Sequence, residues 1–302
     1  MKKLLFPALL LLASAAWAGP YEDAAAANAR GDYAAELRIT RPLAVKREVW
    51  AQYSLGEAYY FGSGVPKNVA EAMKWYRLAA AQGNEAAQLK LGRMYFDAQG
   101  VVQDYAEAIK WYTLAADQGN ALAQYLLGDK YYGGKGVSQD YAQAMKWYRL
   151  AASQRVAGAQ FMLGGIYLSG LGVTEDHTEA VKWFKLAAIQ GDTQAQISLA
   201  MMYRVGLGTV QDYTEAVKWY RLAAEQGDAT AQFNLGVMYI NGHGVIQDYV
   251  RAHMWFNLAA VKGETDALKK RAIIAKLLTP QQISEAQKMA RECQARNFKG
   301  CD

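Results

Sequence analysis

A strict 36-residue period constrains this chain more than any other feature. Tryptophan stands at Trp75, Trp111, Trp147, Trp183, Trp219 and Trp255, each followed by Tyr or Phe and then, after one residue, by Leu-Ala-Ala. Nothing is inserted between copies. A fixed period in this range marks a solenoid, in which each unit buries its apolar face only against its neighbours. A length of 302 residues would otherwise allow two globular domains, but stacked repeats share one elongated core. With 52% hydrophobic and 20% charged residues, disordered and collagen-like classes are excluded.

Residues 1–18 read as a secretory signal peptide: Lys2 and Lys3, the apolar run Leu4 to Leu12, and the small-residue end Ala16-Trp17-Ala18. The apolar stretch is too short for a membrane span. The only cysteines are Cys293 and Cys301, so no cysteine at the cleavage site could carry a lipid. The expectation is cleavage after Ala18 and a soluble protein with no stable membrane anchor. The short lysine region points to a bacterial periplasm, with secretion as the alternative. Loss of Lys2 and Lys3 takes the basic residues from 33 to 31 against 28 acids, and the net charge from +5 to +3. Charge and export together argue against nucleic acid.

Residues 19–47 resemble the later repeats imperfectly, with Ile39 where Trp is due and Arg47 where Gly is due. They read as a helical N-terminal cap. Each full unit from 48 to 263 predicts two helices. In the second copy Gly83-Asn84 ends one helix and caps the next. Helix A carries Ala87-Gln88, Leu91-Gly92 and Tyr95, its apolar members four apart. Gly100-Val101 marks the turn, where other copies have two glycines. Helix B opens at Asp104 with Glu107 three residues on, a capping box, and buries Ala108, Trp111 and Ala115. Gly119 stops it.

The pattern Ala-Gln-x-x-Leu-Gly-x-x-Tyr, Gly-x-Gly-Val, Asp-Tyr-x-x-Ala-x-Lys-Trp-Tyr-x-Leu-Ala-Ala-x-Gln-Gly resembles the Sel1-like repeat, a relative of the tetratricopeptide repeat. That resemblance implies an all-α, right-handed α/α solenoid of six repeats, working as an adaptor whose partner differs from member to member. Two positions depart from the pattern. Ala200 replaces Gly at a close helix approach. Arg155-Val156 replaces Gly-Asn, a change that either weakens this junction or is absorbed by a longer turn. Residues 264–302 read as a helical C-terminal cap: one helix over 265–278, then a second opened by Thr279-Pro280 with Gln282 completing a capping box. Cys293 and Cys301, in an oxidising compartment, are expected to form a disulfide pinning the tail to that helix, since neither CxxC nor a nearby His supports a redox or metal pair.

No catalytic constellation emerges. His177, His243 and His253 occupy different repeat columns and form no metal motif, and GxSxG and P-loop sequences are absent. The recurring Asp/Glu pairs are explained as helix caps. Cysteine-rich members of the resembling family are linked to penicillin-type substrates, but carry a cysteine pair in each repeat, which this chain lacks. The reading is therefore no enzyme, no cofactor and no metal, with a hydrolase acting on peptidoglycan or β-lactams as the rival class. The tryptophan column reads as core rather than a stacking platform. A basic column, Lys74, Lys110, Lys146, Lys182 and Lys218, is largely matched by glutamates three residues earlier and reads as a solvated face.

Binding is expected where the copies disagree, on helix A. The variable positions are Trp50, Ser54, Glu57 and Phe61 in the first copy, and Lys90, Arg93 and Asp97 in the second. Leu126 and Asp129 follow, then Met162, then Met201 and Val205, and finally Asn234, Val237 and Asn241. Spacings of three and four place each set on one stripe. In two-helix solenoids the A helices line the concave surface, so these stripes would form a groove for a protein or peptide partner on a monomeric scaffold. Trp50, Phe61, Met162 and Met201 exceed what an idle solvated face carries.

Overall fold

The computed structural model describes residues 19–301; the signal-peptide expectation for 1–18 lies outside the described residues. The chain divides at Gln139 into two compact units. Among the described residues every regular element is a helix.

The first unit contains α1 (Pro20–Ala29), α2 (Tyr33–Val45), α3 (Val49–Phe61), α4 (Val69–Ala81), α5 (Glu85–Phe96), α6 (Tyr105–Asp117) and α7 (Ala121–Gly133). The second contains α8 (Tyr141–Ser153), α9 (Ala157–Ser169), α10 (His177–Ile189), α11 (Thr193–Val205), α12 (Tyr213–Ala224), α13 (Ala229–Asn241), α14 (Tyr249–Val261), α15 (Thr265–Ala275) and α16 (Pro280–Ala295). Within each unit consecutive helices pack as far as α15, and α14 is covered by both α15 and α16. Each unit is thus an α/α solenoid segment. From α3 to α14 the odd-numbered helices are the A helices and the even-numbered ones the B helices.

Capping side chains set the helix starts. Asn68, Asp104, Asp140, Asp176, Asp212 and Asp248 open the B helices, each accepting a first-turn backbone N–H. The reciprocal half of the expected box at Asp104 is missing. Glu107 turns instead to Lys110 at 2.9 Å, because a charged partner three residues on outcompetes a backbone amide. The full capping box does form at Thr279 and Gln282. The helix expected over 265–278 stops at Ala275, since the chain must leave helical geometry before Pro280.

Glycine in the A helices admits the aromatic ring that follows tryptophan. A Cβ at Gly92 would lie 2.6 Å from the Tyr112 ring, and Gly164 meets Phe184 in the same way. Tyr76 and Tyr112 in the first unit and Tyr148, Phe184, Tyr220 and Phe256 in the second are all buried, the main aromatic core residues of each unit. The tryptophans are less uniform: Trp147, Trp219 and Trp255 are buried, whereas Trp75, Trp111 and Trp183 remain half-buried.

A buried glutamine ties each A helix to its neighbours. In the first unit Gln52, Gln88 and Gln124 donate Nε2 to the carbonyls of Ala44, Ala80 and Ala116 at 3.2, 3.0 and 3.0 Å. Gln82 and Gln118 donate in turn to the Oε1 atoms of Gln52 and Gln88 at 2.8 and 2.7 Å. In the second unit Gln190 and Gln226 do the same for Gln160 and Gln196, at 2.7 and 2.9 Å. Oε1 of Gln232 has no partner, because Lys262 stands where the next glutamine would. Satisfying both ends of a buried amide fixes helix register as well as distance.

The altered junction at Arg155-Val156 keeps the common turn. Val156 N–H donates to the Ala151 carbonyl at 3.2 Å, as Asn84 does to Ala79 at 3.1 Å. Arg155 adopts φ +65°, the left-handed conformation that Gly83 and Gly191 adopt freely, and Val156 supplies no cap. The turn is neither longer nor displaced; its cost is local.

Candidate functional site

The site is built where the N-terminal cap meets the first A helix. Trp50, Ser54, Glu57 and Phe61 lie three or four residues apart on α3, so one face of a single helix carries all four. Helices α1 and α2 stand against that face and enclose with it a cavity of about 630 Å³. Tyr21 meets Trp50 edge to face, ring centroids 5.3 Å apart. Asn28 and Glu36 line the cavity from α1 and α2.

Glu57 is the hinge between this cavity and the next A helix. Its carboxylate accepts a hydrogen bond from the Tyr76 hydroxyl at 2.5 Å and pairs with Lys90 of α5 at 3.2 Å. Lys90 also lies 4.1 Å above the Tyr60 ring and 4.9 Å from that of Phe61. Burial, reinforced by the Glu57 charge, pushes the Tyr53 phenol up to about 12 and the Tyr76 phenol well above its usual range, so both remain neutral donors. The structure therefore gathers Glu57, Phe61 and Lys90 into one charged and aromatic cluster.

Other stripe residues are placed separately. Arg93 is exposed on α5 and Asp97 is exposed immediately after its C-terminus. Their opposing charges act on Tyr112, whose phenol is raised first by burial and next by Asp97, with Arg93 working against it. Leu126 and Asp129 are half-buried on α7, where Lys130 lies 3.7 Å from the Phe96 ring and is held below its usual pKa chiefly by burial. In the second unit Met162 is half-buried on α9, and Met201 and Val205 are exposed on α11. Asn234 and Asn241 donate back to the carbonyls of Thr230 and Val237 on their own helix, and Val237 packs against the core.

Four features were not read from the sequence as parts of any surface. Glu36, Tyr21 and Asn28 belong to the irregular leader, whose misfit to the repeat concealed their convergence on α3. The fourth is the leucine of Leu-Ala-Ala. Leu78, Leu114, Leu150, Leu186 and Leu222 are 39–49% exposed on the B helices, whereas Leu258 is 1% exposed on α14, which α15 and α16 cover. Its invariance in the sequence was the available signal. On this side Val45, Trp75 and Leu78 line a second cavity of about 530 Å³ that contains few charged groups.

The basic column is locally neutralised, with Lys74, Lys110, Lys182 and Lys218 paired to the glutamates three residues before them. Among the described residues no group of three or more His, Cys, Asp or Glu could hold a metal ion. His253 is buried in a column that is otherwise apolar, and burial, aided by the charge of Arg271, holds its pKa below 6.5. Cys293 and Cys301 form a disulfide. The tail it holds sets Phe298 against Gly227 and the Gly300 amide 3.2 Å from Glu225.

Six consecutive segments, 51–84, 85–120, 121–156, 157–192, 193–228 and 229–263, match the Sel1 repeat. The chain is similar to c5321, a protective antigen of uropathogenic Escherichia coli with an SLR fold, at 32% identity and a TM-score of 0.79. That match covers 93% of this chain but 62% of the antigen, so the chain spans less than two thirds of its length. A Sel1 repeat protein from Oxalobacter formigenes matches at 33% identity with a TM-score of 0.64, covering 79% of this chain and 96% of that one. No curated protein matches.

Proposed function

The chain belongs to the Sel1 repeat family, and from that premise we propose that it is an exported scaffold binding a protein or peptide partner across the A-helix face of its first unit. Solenoids of this family are typical protein–protein interaction scaffolds and are generally non-enzymatic. The observation that carries the reading is the convergence of Trp50, Ser54, Glu57 and Phe61 on one cavity wall, with Lys90 and Arg93 on the next A helix. Aromatic anchors beside charged groups are the composition of binding hot spots. In the second unit Met162, Met201 and Val205 offer an apolar stripe of their own with adaptable packing.

Export is supported by the disulfide, which belongs to an oxidising compartment, and by the leader sequence. No helix among the described residues is long and apolar enough to cross a membrane. The related protective antigen fits a location outside the cytoplasm. Periplasm is the location proposed.

The test is co-purification from the producing cell. Tagged wild type, Phe61→Ala/Arg93→Glu and Lys110→Glu proteins would be compared by mass spectrometry after circular dichroism establishes equal folding. A partner retained by wild type and Lys110→Glu but lost from Phe61→Ala/Arg93→Glu supports the reading. Equal recovery by all three moves binding away from the A face.

A further inference from the structure

We propose that the cavity between α1, α2 and α3 receives a cationic side chain, the guanidinium or ammonium of an arginine or lysine presented by the partner. This rests on the scaffold reading and names the chemistry that the partner must offer.

The argument starts from Glu36. Its side chain is buried, the residue being 7% exposed, and its carboxylate accepts one hydrogen bond, from Asn28 Nδ2 at 2.7 Å. No cation pairs with it among the described residues. One amide leaves most of the acceptor positions of this carboxyl group open to a donor entering the cavity, and a cationic donor makes the strongest such bond. The second carboxylate on the cavity is different, for Glu57 already has Lys90 and Tyr76. Of the two carboxyl groups on the cavity, Glu36 is therefore the one with no cationic partner among the described residues.

The walls specify the kind of cation. Tyr21, Tyr33, Trp50 and Phe61 line the space, and no Lys, Arg or His does. Aromatic faces attract a cation through their quadrupole and exclude an anion. A hydrated inorganic ion gains little from such walls, whereas a guanidinium or ammonium on an apolar stem fills them and reaches the carboxylate. A volume of about 630 Å³ has room for a long side chain with part of its backbone. Ser54 and Ser63 on the same lining offer hydroxyl oxygens to the remaining N–H groups.

A peptide side chain and a free small amine share this chemistry, and the test separates them. The probes are a fluorescein-labelled, end-blocked Gly-Ser-Arg-Ser-Gly peptide, its lysine and citrulline counterparts, and unlabelled methylguanidinium and tetramethylammonium as competitors. Anisotropy would be measured on the full-length mature protein at low and physiological salt. The proposal expects the arginine or lysine peptide to bind, and the citrulline peptide to bind at least about tenfold more weakly, the worth of a charge-assisted bond. Glu36→Gln, which keeps the shape and the Asn28 contact, should reduce binding of the basic peptide by about tenfold or more. Phe61→Ala, at an exposed position, should weaken it without altering the fold. Equal binding of arginine and citrulline peptides, or indifference to Glu36→Gln, overturns the proposal. Binding of the free amines but none of the basic peptides also overturns it, reassigning the cavity to a small molecule. If the A-face variants still lose the cellular partner while Glu36→Gln retains it fully, the scaffold reading stands and the cation assignment falls.

Discussion

Restoring the consensus at the Arg155-Val156 junction should stabilise the second unit. Arg155 holds φ +65° with a side chain, a conformation costing about 1–2 kcal/mol for a residue bearing Cβ. Glycine would remove that cost but lose about 0.5–1 kcal/mol to its freer unfolded chain, leaving a net gain of about 0.5–1 kcal/mol. Val156 has φ −72° and ψ 106°, close to the −67° and 108° of the capping residue Asn84, yet caps nothing. At the equivalent place Asn84, Asn120, Asp192 and Asp228 accept an amide at 2.8–2.9 Å. Val156→Asp finds that geometry preformed and should add about 1 kcal/mol. The double variant should thus gain about 1.5–2 kcal/mol, seen as a urea midpoint raised on the order of 0.5–1 M. Hydrogen exchange would place the gain, because protection should rise chiefly in α8 and α9. An unchanged midpoint, or lower protection at the start of α9, would refute the claim that this junction keeps the common turn under strain.

Three further outcomes follow from burial and charge. Leu258→Ala should cost about 2–5 kcal/mol, whereas Leu186→Ala, in the same sequence column but 47% exposed, should stay within about 0.5 kcal/mol; thermal unfolding of the two variants checks this contrast. His253 is neutral in both states above pH 6.5, but below it the unfolded chain takes up a proton that burial and Arg271 oppose in the native state. Stability should therefore fall as pH drops through 6.5, and His253→Met should flatten that dependence in pH-resolved urea titrations. Reducing the Cys293–Cys301 bond should cost about 2–3 kcal/mol in the C-terminal helix and tail, with exchange at α16 and Gly300 accelerating while α9 to α11 stay unchanged.

The architecture was legible because each repeat states the same local instructions. Asp104 and Asn84 announce helix starts, Gly83 and Gly119 announce stops, and the period aligns them without insertion. What the pattern concealed was allocation within an invariant column. Trp is the more constant and the residue after it is either Tyr or Phe, yet Tyr112 is fully enclosed opposite Gly92 while Trp111 is half-buried. Leu is as constant as Trp, yet is exposed in every copy but the last. Constancy along a repeat records a shared environment, and it does not say whether that environment is core or surface. The stripe on α3 was readable from spacing, since Trp50, Ser54, Glu57 and Phe61 fall on one helical face. The partners of that stripe were not, because α1 and α2 depart from the repeat and offered no column in which Glu36 or Tyr21 could be compared. Nor did spacing foretell that Lys90 would reach back to Glu57, a contact set by the stacking of neighbouring A helices.

The most direct test of the scaffold account is site-specific photo-crosslinking in the producing cell, with the reactive residue at Arg93 on α5 or at Lys110 on α6. Both positions are exposed, so reactivity alone does not favour either. The account predicts one discrete protein captured from Arg93, and no such adduct from Lys110. Capture from Lys110 alone, or from neither position, would contradict it.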